Sequence, residues 1–507
     1  MDASQFALGT PDPTNEDQRT PTGRQWTPRV VGSLISMALL LELLSISYMM
    51  IAIALPQISA HYRTTQGAWL QTGFLLLGAV ASPLIGKLAD THGKRKLLMV
   101  CIALSAVGAL VSATGSSFGV IVAGRALTGM LGPCLFLVYT LIRDVFPKQT
   151  VAMAVSIAIS GMGLVTVPAP FLTGWLVDNF GFRSVFWFTL ICLCVLGPLI
   201  LATTDESPVR LRSTIDLVGA ALLGAGIAGG LIGVSFAPDW GWTAPSTLAY
   251  LIGGTALFAA WIVSARIIRE PLIDLRILSD RAVALTVLSS GLCYAVSAVF
   301  AILLPFMCMT PAVLGLGYGF GVSAEGFAVF QAPLGGATVI GGFVVGFLVS
   351  RTGSRTLMIV GMAVMALACT LTAISHESKP QVIIFSALVG LGSGIGYAAA
   401  PNLLLATVPQ PLQGTTGAVS SVSQSVLPAV LPVVAFTVLN SHIATVVEGA
   451  AFYTDEGLTI GFLIAAGAAL IAAIAAFALP RRVEQVADLD IQTQPLSDEP
   501  VLSPNAP

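Results

Sequence analysis

The chain has 507 residues, of which 55% are hydrophobic and only 9% are charged, whereas soluble domains carry roughly 25% charged residues. This composition excludes a soluble globular protein and is typical of a multi-pass membrane protein. The formal net charge of -2 provides no excess of positive charge for a polyanion, so no nucleic-acid partner is expected.

Apolar runs along the chain predict fourteen membrane-spanning helices in a lipid bilayer. About 20 mostly apolar residues cross the hydrocarbon core of a membrane. The first run, at 30–55, is longer than the core of a cleaved signal sequence and should remain as a helix. The other runs lie at 69–88, 97–114, 118–142, 151–177, 184–203, 216–236, 247–268, 282–308, 326–349, 357–375, 381–407, 417–440 and 458–479.

A short motif that follows the second run occurs twice. Gly86–Lys96 and Gly346–Arg355 share Gly, Leu, Gly and Arg at a constant offset of 260 residues, and each follows the second helix of a six-helix block. Such a duplication indicates two parallel halves. The predicted organisation is a disordered segment at 1–29, a six-helix bundle at 30–203, two extra helices with linkers at 204–281, a second six-helix bundle at 282–480, and a disordered tail at 481–507.

The distribution of Lys and Arg predicts the orientation in the membrane. If the N-terminus is cytoplasmic, 19 of the 23 basic residues lie on the cytoplasmic side, the exceptions being Arg63, Arg183 and Lys379 outside and Arg125 within a helix. Cytoplasmic loops are enriched in Lys and Arg. Both termini are therefore predicted to be cytoplasmic, in a multi-pass protein of the cell (plasma or inner) membrane.

Signatures of enzymes and of bound cofactors are absent from the sequence. There is no GxxxxGK[ST] loop, so ATP hydrolysis by that route is not expected, and there is no HExxH motif. The four His and seven Cys residues are scattered and form no metal-ligand pattern. We therefore expect no enzymatic activity, no cofactor, no metal and no disulfide framework.

Several segments resemble one known family. Gly86–Lys96 resembles the signature loop of the major facilitator superfamily, and the 6+2+6 layout resembles its fourteen-span drug:proton antiporter branch. Ala54–Pro56 and Arg125–Gly129 resemble further segments of that branch, and Gly315–Gly321 resembles a loop of its actinobacterial members. The resemblance covers roughly residues 30–480. It implies an all-α integral membrane protein with the major facilitator fold and a secondary transporter that works as a monomer.

Three positions depart from the pattern of that branch. Ser47 stands near the end of the first helix, where an Asp is usual, and Thr128 replaces a Gln after Arg125. The signature of the fifth helix, normally Gly-Pro followed by paired Gly, reads Ala169-Pro170 and Thr173-Gly174. These departures leave open which solute is carried and whether protons drive it.

Glu42 and Arg125 are the candidate proton-coupling residues. Glu42 lies twelve residues into the first helix, roughly 18 Å deep and near the middle of the membrane. A carboxylate at that depth is costly and usually faces a cavity or a partner. The resemblance places both helices beside the central cavity, so the two residues could form a pair that protonation loosens. A structural Glu bonded to neighbouring helices and a static ion pair are the alternatives.

The resemblance also assigns a cytoplasmic gate to the first copy of the motif. Asp90 would join helix-end dipoles and nearby basic residues to hold that side shut. Its counterpart in the second copy is Ser350, so the two halves differ here. The basic residues also anchor the topology. The candidate gate residues are Gly86, Asp90, Gly93, Lys94 and Arg95.

Polar and aromatic residues within the predicted helices are candidates for lining a solute cavity. Such side chains suit an amphipathic solute, although a hydrogen bond to a neighbouring helix would also explain a polar residue in a membrane helix. The candidates are Tyr48, Tyr139, Tyr294, Gln331, Asn402 and Gln424.

These observations favour proton-coupled efflux of amphipathic or cationic drugs and other small molecules by alternating access. One alternative is proton-coupled transport of a metabolite or siderophore by the same fold. A second is a membrane sensor or scaffold that transports nothing, but such a protein has little need for an acid at the membrane midplane.

Overall fold

The computed structural model describes residues 26–147, 150, 151, 154, 165–208, 216–268, 271, 275, 280–407, 413–447 and 450–479. These residues are almost entirely α-helical, with a single two-stranded hairpin among them. The predicted disordered segments at 1–29 and 481–507 lie outside the described residues, apart from 26–29.

The first predicted bundle contributes seven helical segments to the described chain. The fourth membrane crossing is built from two helices joined by a 3-10 turn at Gly129–Leu131. The helices are α1 Pro28–Tyr62, α2 Trp69–His92, α3 Lys94–Thr114, α4 Phe118–Thr128, α5 Cys134–Val145, α6 Pro168–Phe180 and α7 Ser184–Thr203.

Two extra helices and a second bundle follow. The extra helices are α8 Leu217–Trp240 and α9 Pro245–Ile267. The second bundle consists of α10 Arg281–Met309, α11 Ala324–Thr352, α12 Ser354–Ile374, α13 Lys379–Thr407, α14 Gln413–Asn440 and α15 Asp455–Phe477, with an antiparallel hairpin of β1 Ile443–Val447 and β2 Ala450–Tyr453 between the last two helices.

Polar residues at the edges of the apolar runs fix where the helices begin. Thr27, Ser117, Asp280 and Thr454 each accept a hydrogen bond from a backbone amide in the first turn of the following helix. These amides have no partner within the helix, and capping side chains satisfy them. The sequence therefore specifies helix starts with single polar residues placed just before hydrocarbon-soluble segments.

The bundle has two ends, and they differ in how the halves meet. We call the end where α1 begins and α15 ends the terminal end, and the opposite one the hairpin end. A continuous apolar core fills the second bundle and takes in residues of the first bundle near the hairpin end, such as Ile53, Ile58 and Phe182. The terminal end of the first bundle forms a separate cluster around Leu40, Leu98 and Ile142.

Hydrogen bonds between the two halves follow the same distribution. Thr72 Oγ1 donates to the carbonyl of Ala429 at 2.9 Å, and Asn440 Nδ2 donates to the carbonyl of Thr65 at 3.1 Å. A further contact joins α6 to the start of α11. Within the described residues, the halves are thus joined by hydrogen bonds toward the hairpin end.

The extra helices lie against both halves. α8 packs on α2 and on α14 as well as on α9. Near the hairpin end, Gln66 Nε2 of the first half donates to the carbonyl of Ser235 at 3.2 Å, and Thr437 Oγ1 of the second half contacts the carbonyl of Val234 at 3.4 Å. α8 therefore contacts both halves of the protein, and α9 packs against α8.

The all-α membrane fold expected from the sequence is confirmed. Thirteen helices of the described chain are long and apolar enough to cross a membrane. The remaining predicted crossing, at 151–177, lies partly outside the described residues, and its last ten residues belong to α6. The proposed domain boundaries stay a prediction.

Candidate functional site

Arg125 on α4 is buried in the first bundle, with only 1% of its surface exposed. Its Nη1 donates to Ser47 Oγ at 2.8 Å, and its Nη2 donates to the carbonyl of Ser47 at 3.0 Å. The guanidinium carbon lies 4.1 Å from the centre of the Phe74 ring, which is a cation–π contact. A buried charge is costly unless it is hydrogen-bonded, and α1 supplies the hydrogen-bond acceptors through Ser47 while α2 supplies the aromatic ring.

A second side chain of α2 contacts the same part of α1. Gln71 is fully buried, and its Nε2 donates to the carbonyl of Tyr48 at 3.0 Å. Gln71 and Phe74 are three residues apart and therefore share a helix face. α2 and α4 together hold α1 at Ser47 and Tyr48. Ser47, which departs from the family pattern, thus has a defined role as the hydrogen-bond partner of Arg125.

Glu42 is buried in α1 with 6% of its surface exposed, and neither carboxylate oxygen has a hydrogen-bond partner in the described part of the chain. At 100° per residue, Glu42 shares one face of α1 with Val31, Ile35 and Leu39. These three residues are 38%, 52% and 47% exposed. The three exposed residues form a stripe along α1 that runs inward from the terminal end, and Glu42 lies at the inner end of this stripe.

The structure does not bring Glu42 and Arg125 together. No ion pair joins them among the described residues. The reason is helix geometry, because Glu42 and Ser47 are five residues apart and point roughly 140° from each other around the axis of α1. Arg125 binds the Ser47 face. The proton-coupling roles of Glu42 and Arg125 stay a prediction, without the direct pair.

Tyrosines from both halves gather around Tyr48, which is itself a neighbour of Arg125. Tyr294 on α10 and Tyr397 on α13 have ring centres 4.3 Å apart. Tyr139 on α5 lies near Tyr294, and Tyr48 on α1 lies near Tyr397. The structure therefore brings three of the sequence-predicted cavity residues into one tyrosine cluster. It adds Tyr397, which was not among the predicted cavity residues.

The other three cavity candidates differ from the tyrosines. Asn402 Nδ2 donates to the carbonyl of Ala398 in its own helix at 2.8 Å. Gln424 Nε2 donates to Ser290 Oγ at 2.5 Å, which links α14 to α10 within the second bundle. Gln331 is 5% exposed, and its Oε1 has no partner in the described chain. Gln424 therefore makes the bond to a neighbouring helix that was the alternative explanation, whereas Asn402 bonds within its own helix.

The predicted surface loop Gly86–Lys96 is mostly helical. α2 continues through Asp90 to His92, and α3 begins at Lys94, so Gly93 alone, with a φ of 117°, separates the two helices. Asp90 consequently lies inside a helix, and among described residues it accepts no bond from helix-end amides. Its nearest cation is Lys94 Nζ at 4.0 Å. Gly86 packs against the ring of Phe136 in the same half.

A different carboxylate caps α3. The side chain of Glu206, just after α7, accepts hydrogen bonds from the backbone amides of Arg95 at 2.9 Å and Lys96 at 3.1 Å. Asp90 therefore does not cap α3 in this conformation, because Gly93 ends α2 and leaves Asp90 four residues before the start of α3, and its role as a gate residue stays a prediction. The acids just after the sixth apolar run were the sequence signal for this cap.

Lys94 also has a stronger partner than Asp90. Lys94 Nζ lies 2.6 Å from Asp144 Oδ2 near the end of α5, and the two side chains are only 5% and 7% exposed. The same oxygen accepts a hydrogen bond from Ser207 Oγ at 2.6 Å. We call Lys94, Asp144 and Ser207 the buried charge cluster. It joins three segments of the first bundle at the terminal end.

Arginine plays the same part in both copies of the motif. Arg95 Nη1 donates to the carbonyl of Thr204 at 2.8 Å, at the end of α7. Arg355 Nε donates to the carbonyl of Ala476 at 3.2 Å, and its Nη2 contacts the carbonyl of Phe477, at the end of α15. Cations are favourable beside helix C-termini, where carbonyls lack partners. Each arginine therefore fastens the last helix of its own half.

Comparison with known proteins gives a family match and similar transporters. A family model described as Major Facilitator Superfamily matches residues 37–432. The tetracenomycin C resistance and export protein of Streptomyces glaucescens is 27% identical over 78% of this chain and 72% of its own. The uridine/deoxyuridine transporter of Lactococcus lactis subsp. cremoris is 29% identical over 74% of this chain and 80% of its own.

Solved structures agree on the fold. A crystal structure of a bacterial homolog of the human lysosomal transporter Spinster, in an inward-facing and unoccupied conformation, aligns with a TM-score of 0.61. It covers 89% of this chain and 98% of its own at 14% identity. At that identity, the similarity supports the fold alone.

Proposed function

Because the chain belongs to the Major Facilitator Superfamily, we propose that it is a secondary transporter that exports amphipathic or cationic small molecules in exchange for protons. The family and the fold are those of membrane transporters. Export is supported by the similarity to the tetracenomycin C resistance and export protein. Alternating access between the two halves would expose one central site to each side of the membrane in turn.

Glu42 is the observation that carries this proposal. Its carboxylate is buried in a membrane helix and has no hydrogen-bond partner in the described chain. An unpartnered acid at such a depth is retained at a considerable energetic cost, which favours a role in binding a proton or a cation. If the carboxyl group binds a proton and a cationic solute in turn, the entry of protons is coupled to the outward movement of the solute.

The tyrosine cluster supports the proposed class of solute. Tyr48 and Tyr139 belong to the first half, whereas Tyr294 and Tyr397 belong to the second. Aromatic rings bind apolar surfaces and cations, and their hydroxyl groups bind polar edges. Because both halves contribute rings, a solute held there would change its contacts as the halves move.

The proposal includes an orientation. The terminal end would face the cytoplasm, in agreement with the excess of Lys and Arg on that side. Protons and one small-molecule solute are the only partners that a monomer of this kind requires besides the bilayer.

Transport in inverted membrane vesicles tests the role of Glu42. We expect Glu42→Gln to reduce proton-driven uptake of a cationic dye into the vesicles at least tenfold, because the amide cannot release a proton. The matched control is Glu377→Gln, which neutralises an exposed acid elsewhere in the chain. If Glu42→Gln keeps the uptake rate of the parent protein at equal expression, the coupling assignment is wrong.

Nucleoside or metabolite transport is the second candidate function, which the similarity to the uridine/deoxyuridine transporter favours. The same vesicles distinguish the two candidates. Counterflow of labelled uridine with no dye transport would favour the metabolite, whereas dye transport that uridine does not inhibit favours drug export. Purified protein that moves neither solute in liposomes under a pH gradient would favour a sensor or scaffold.

A further inference from the structure

Asp178 makes two hydrogen bonds between the two halves. It lies near the end of α6 in the first half, at the hairpin end. Its Oδ1 accepts a hydrogen bond from the amide of Ala324 at 3.1 Å, and its Oδ2 accepts one from the amide of Glu325 at 2.8 Å. Both amides belong to the first turn of α11 in the second half. One carboxylate thus binds the start of a helix across the interface with both of its oxygens.

The contact completes the cap of α11. The first amides of a helix have no partner within it. Ser323 Oγ accepts a hydrogen bond from the amide of Gly326 at 3.1 Å. Asp178 accepts hydrogen bonds from the amides of Ala324 and Glu325, which lie between Ser323 and Gly326 in the chain. A negative charge is also favoured by the positive end of the helix dipole. If the halves separated at this end, α11 would lose two of its capping bonds, and the charge would lose its partners.

Glycine lets the two helices approach closely enough for this contact. A Cβ atom added to Gly174, one turn before Asp178, would lie 2.4 Å from the Cα of Glu325, a distance that no side chain tolerates. Further along the same pair of helices, a Cβ on Gly335 would lie 2.5 Å from Thr166 Cγ2. Backbone-to-backbone packing therefore positions the carboxylate on the amides. Gly174 is the glycine that remains of the altered signature in the fifth membrane crossing.

We propose that Asp178 is a latch that holds the hairpin end closed and must leave the α11 amides before that end can open. The inference rests on the proposed alternating access, but the contact itself involves neither the solute nor the coupling ion. Asp178 is therefore a gate residue distinct from Glu42, on the opposite side of the protein from the buried charge cluster. In the proposed orientation, the latch faces the outside of the cell.

Distance measurements between the halves test the latch without any solute. Spin labels would be attached to Cys at Ser116 and Val313, which are exposed positions at the hairpin end of the first and second halves. Cys192 and Cys194, the native cysteines that are not buried, would be replaced by Ser in the full-length protein in lipid nanodiscs. Pulsed electron-spin resonance then gives the distribution of label-to-label distances.

We expect Asp178→Ala to raise the ratio of the longer-distance population to the shorter one on the order of tenfold, as for the loss of charge-assisted hydrogen bonds. Asp178→Asn keeps one acceptor oxygen and should raise that ratio at least threefold, which also provides a reading if the Ala variant folds poorly. Glu377→Gln is the matched control, because it removes an exposed acid from the second half and leaves both amides of α11 in place, and its distribution should match the parent. An unchanged distribution in Asp178→Asn would overturn the proposal, whatever the solute proves to be.

Discussion

The two copies of the duplicated motif have the same backbone but different side-chain networks. In each copy a glycine with positive φ, Gly93 or Gly353, ends one helix and is followed directly by the next. Arg95 and Arg355 then bind the carbonyls that end the last helix of their halves. These shared features belong to the architecture, because they connect three helices in the same way in both halves.

The charged network is present in the first copy alone among the described residues. Asp90 and Lys94 of the first copy correspond to Ser350 and Ser354 in the second. Lys94 pairs with Asp144, and Glu206 caps α3 from a distant segment, whereas neither Gly353 nor a distant side chain of the described chain caps the start of α12. The comparison separates what the fold needs from what is particular to one half. The following predictions test that separation.

Breaking the buried charge cluster should have the largest effect. Lys94→Met leaves Asp144 buried without its ammonium partner, and removing one member of a buried pair costs about 3–5 kcal/mol of the free energy of unfolding. The matched change in the second copy, Ser354→Ala, should cost less than about 1 kcal/mol. Thermal unfolding of both purified variants in detergent measures the difference. Equal losses of stability would contradict a special role for the first copy.

A double substitution sharpens the same point. Lys94→Met combined with Asp144→Leu removes both charges, and replacing a whole buried pair by apolar residues is often close to neutral. The double variant should therefore be more stable than Lys94→Met alone. A double variant that loses the sum of the two single losses would show that the side chains do not interact.

The arginines should have smaller and similar effects. Arg95→Gln and Arg355→Gln each remove a cation from the end of a helix, which typically costs about 0.3–1 kcal/mol and up to about 2 kcal/mol where it is partly buried. We expect the two variants to lose stability within about 0.5 kcal/mol of each other in the same unfolding assay. A much larger loss for one of them would mean that its role is not the shared one.

The sequence predicted the helices and the duplication but not the partners within the site. Apolar runs, capping residues and repeated glycines act locally, so they can be read along the chain. The partner of Lys94 is 50 residues away, and the cap on α3 comes from Glu206, 111 residues from Arg95. Such pairings depend on how each helix is rotated about its axis. The same reason explains why the sequence could not show that Glu42 and Arg125 do not form a direct pair.

Asp90 should have the smallest effect on stability and is the most informative about the gate. It lies 4.0 Å from Lys94, its side chain is 38% exposed, and such pairs contribute about 0–1 kcal/mol. Asp90→Asn should therefore change the unfolding temperature little. If Asp90 works in another conformation, as a gate, the variant should still slow transport several-fold in the vesicle assay, because the carboxylate would be needed when the terminal end closes.

Ser350→Asp is the counterpart in the second copy. It adds an acid whose neighbour four residues on is Ser354 and not a lysine, so it should restore nothing to Asp90→Asn. Normal transport by Asp90→Asn would reduce the first copy to the structural role that it shares with the second.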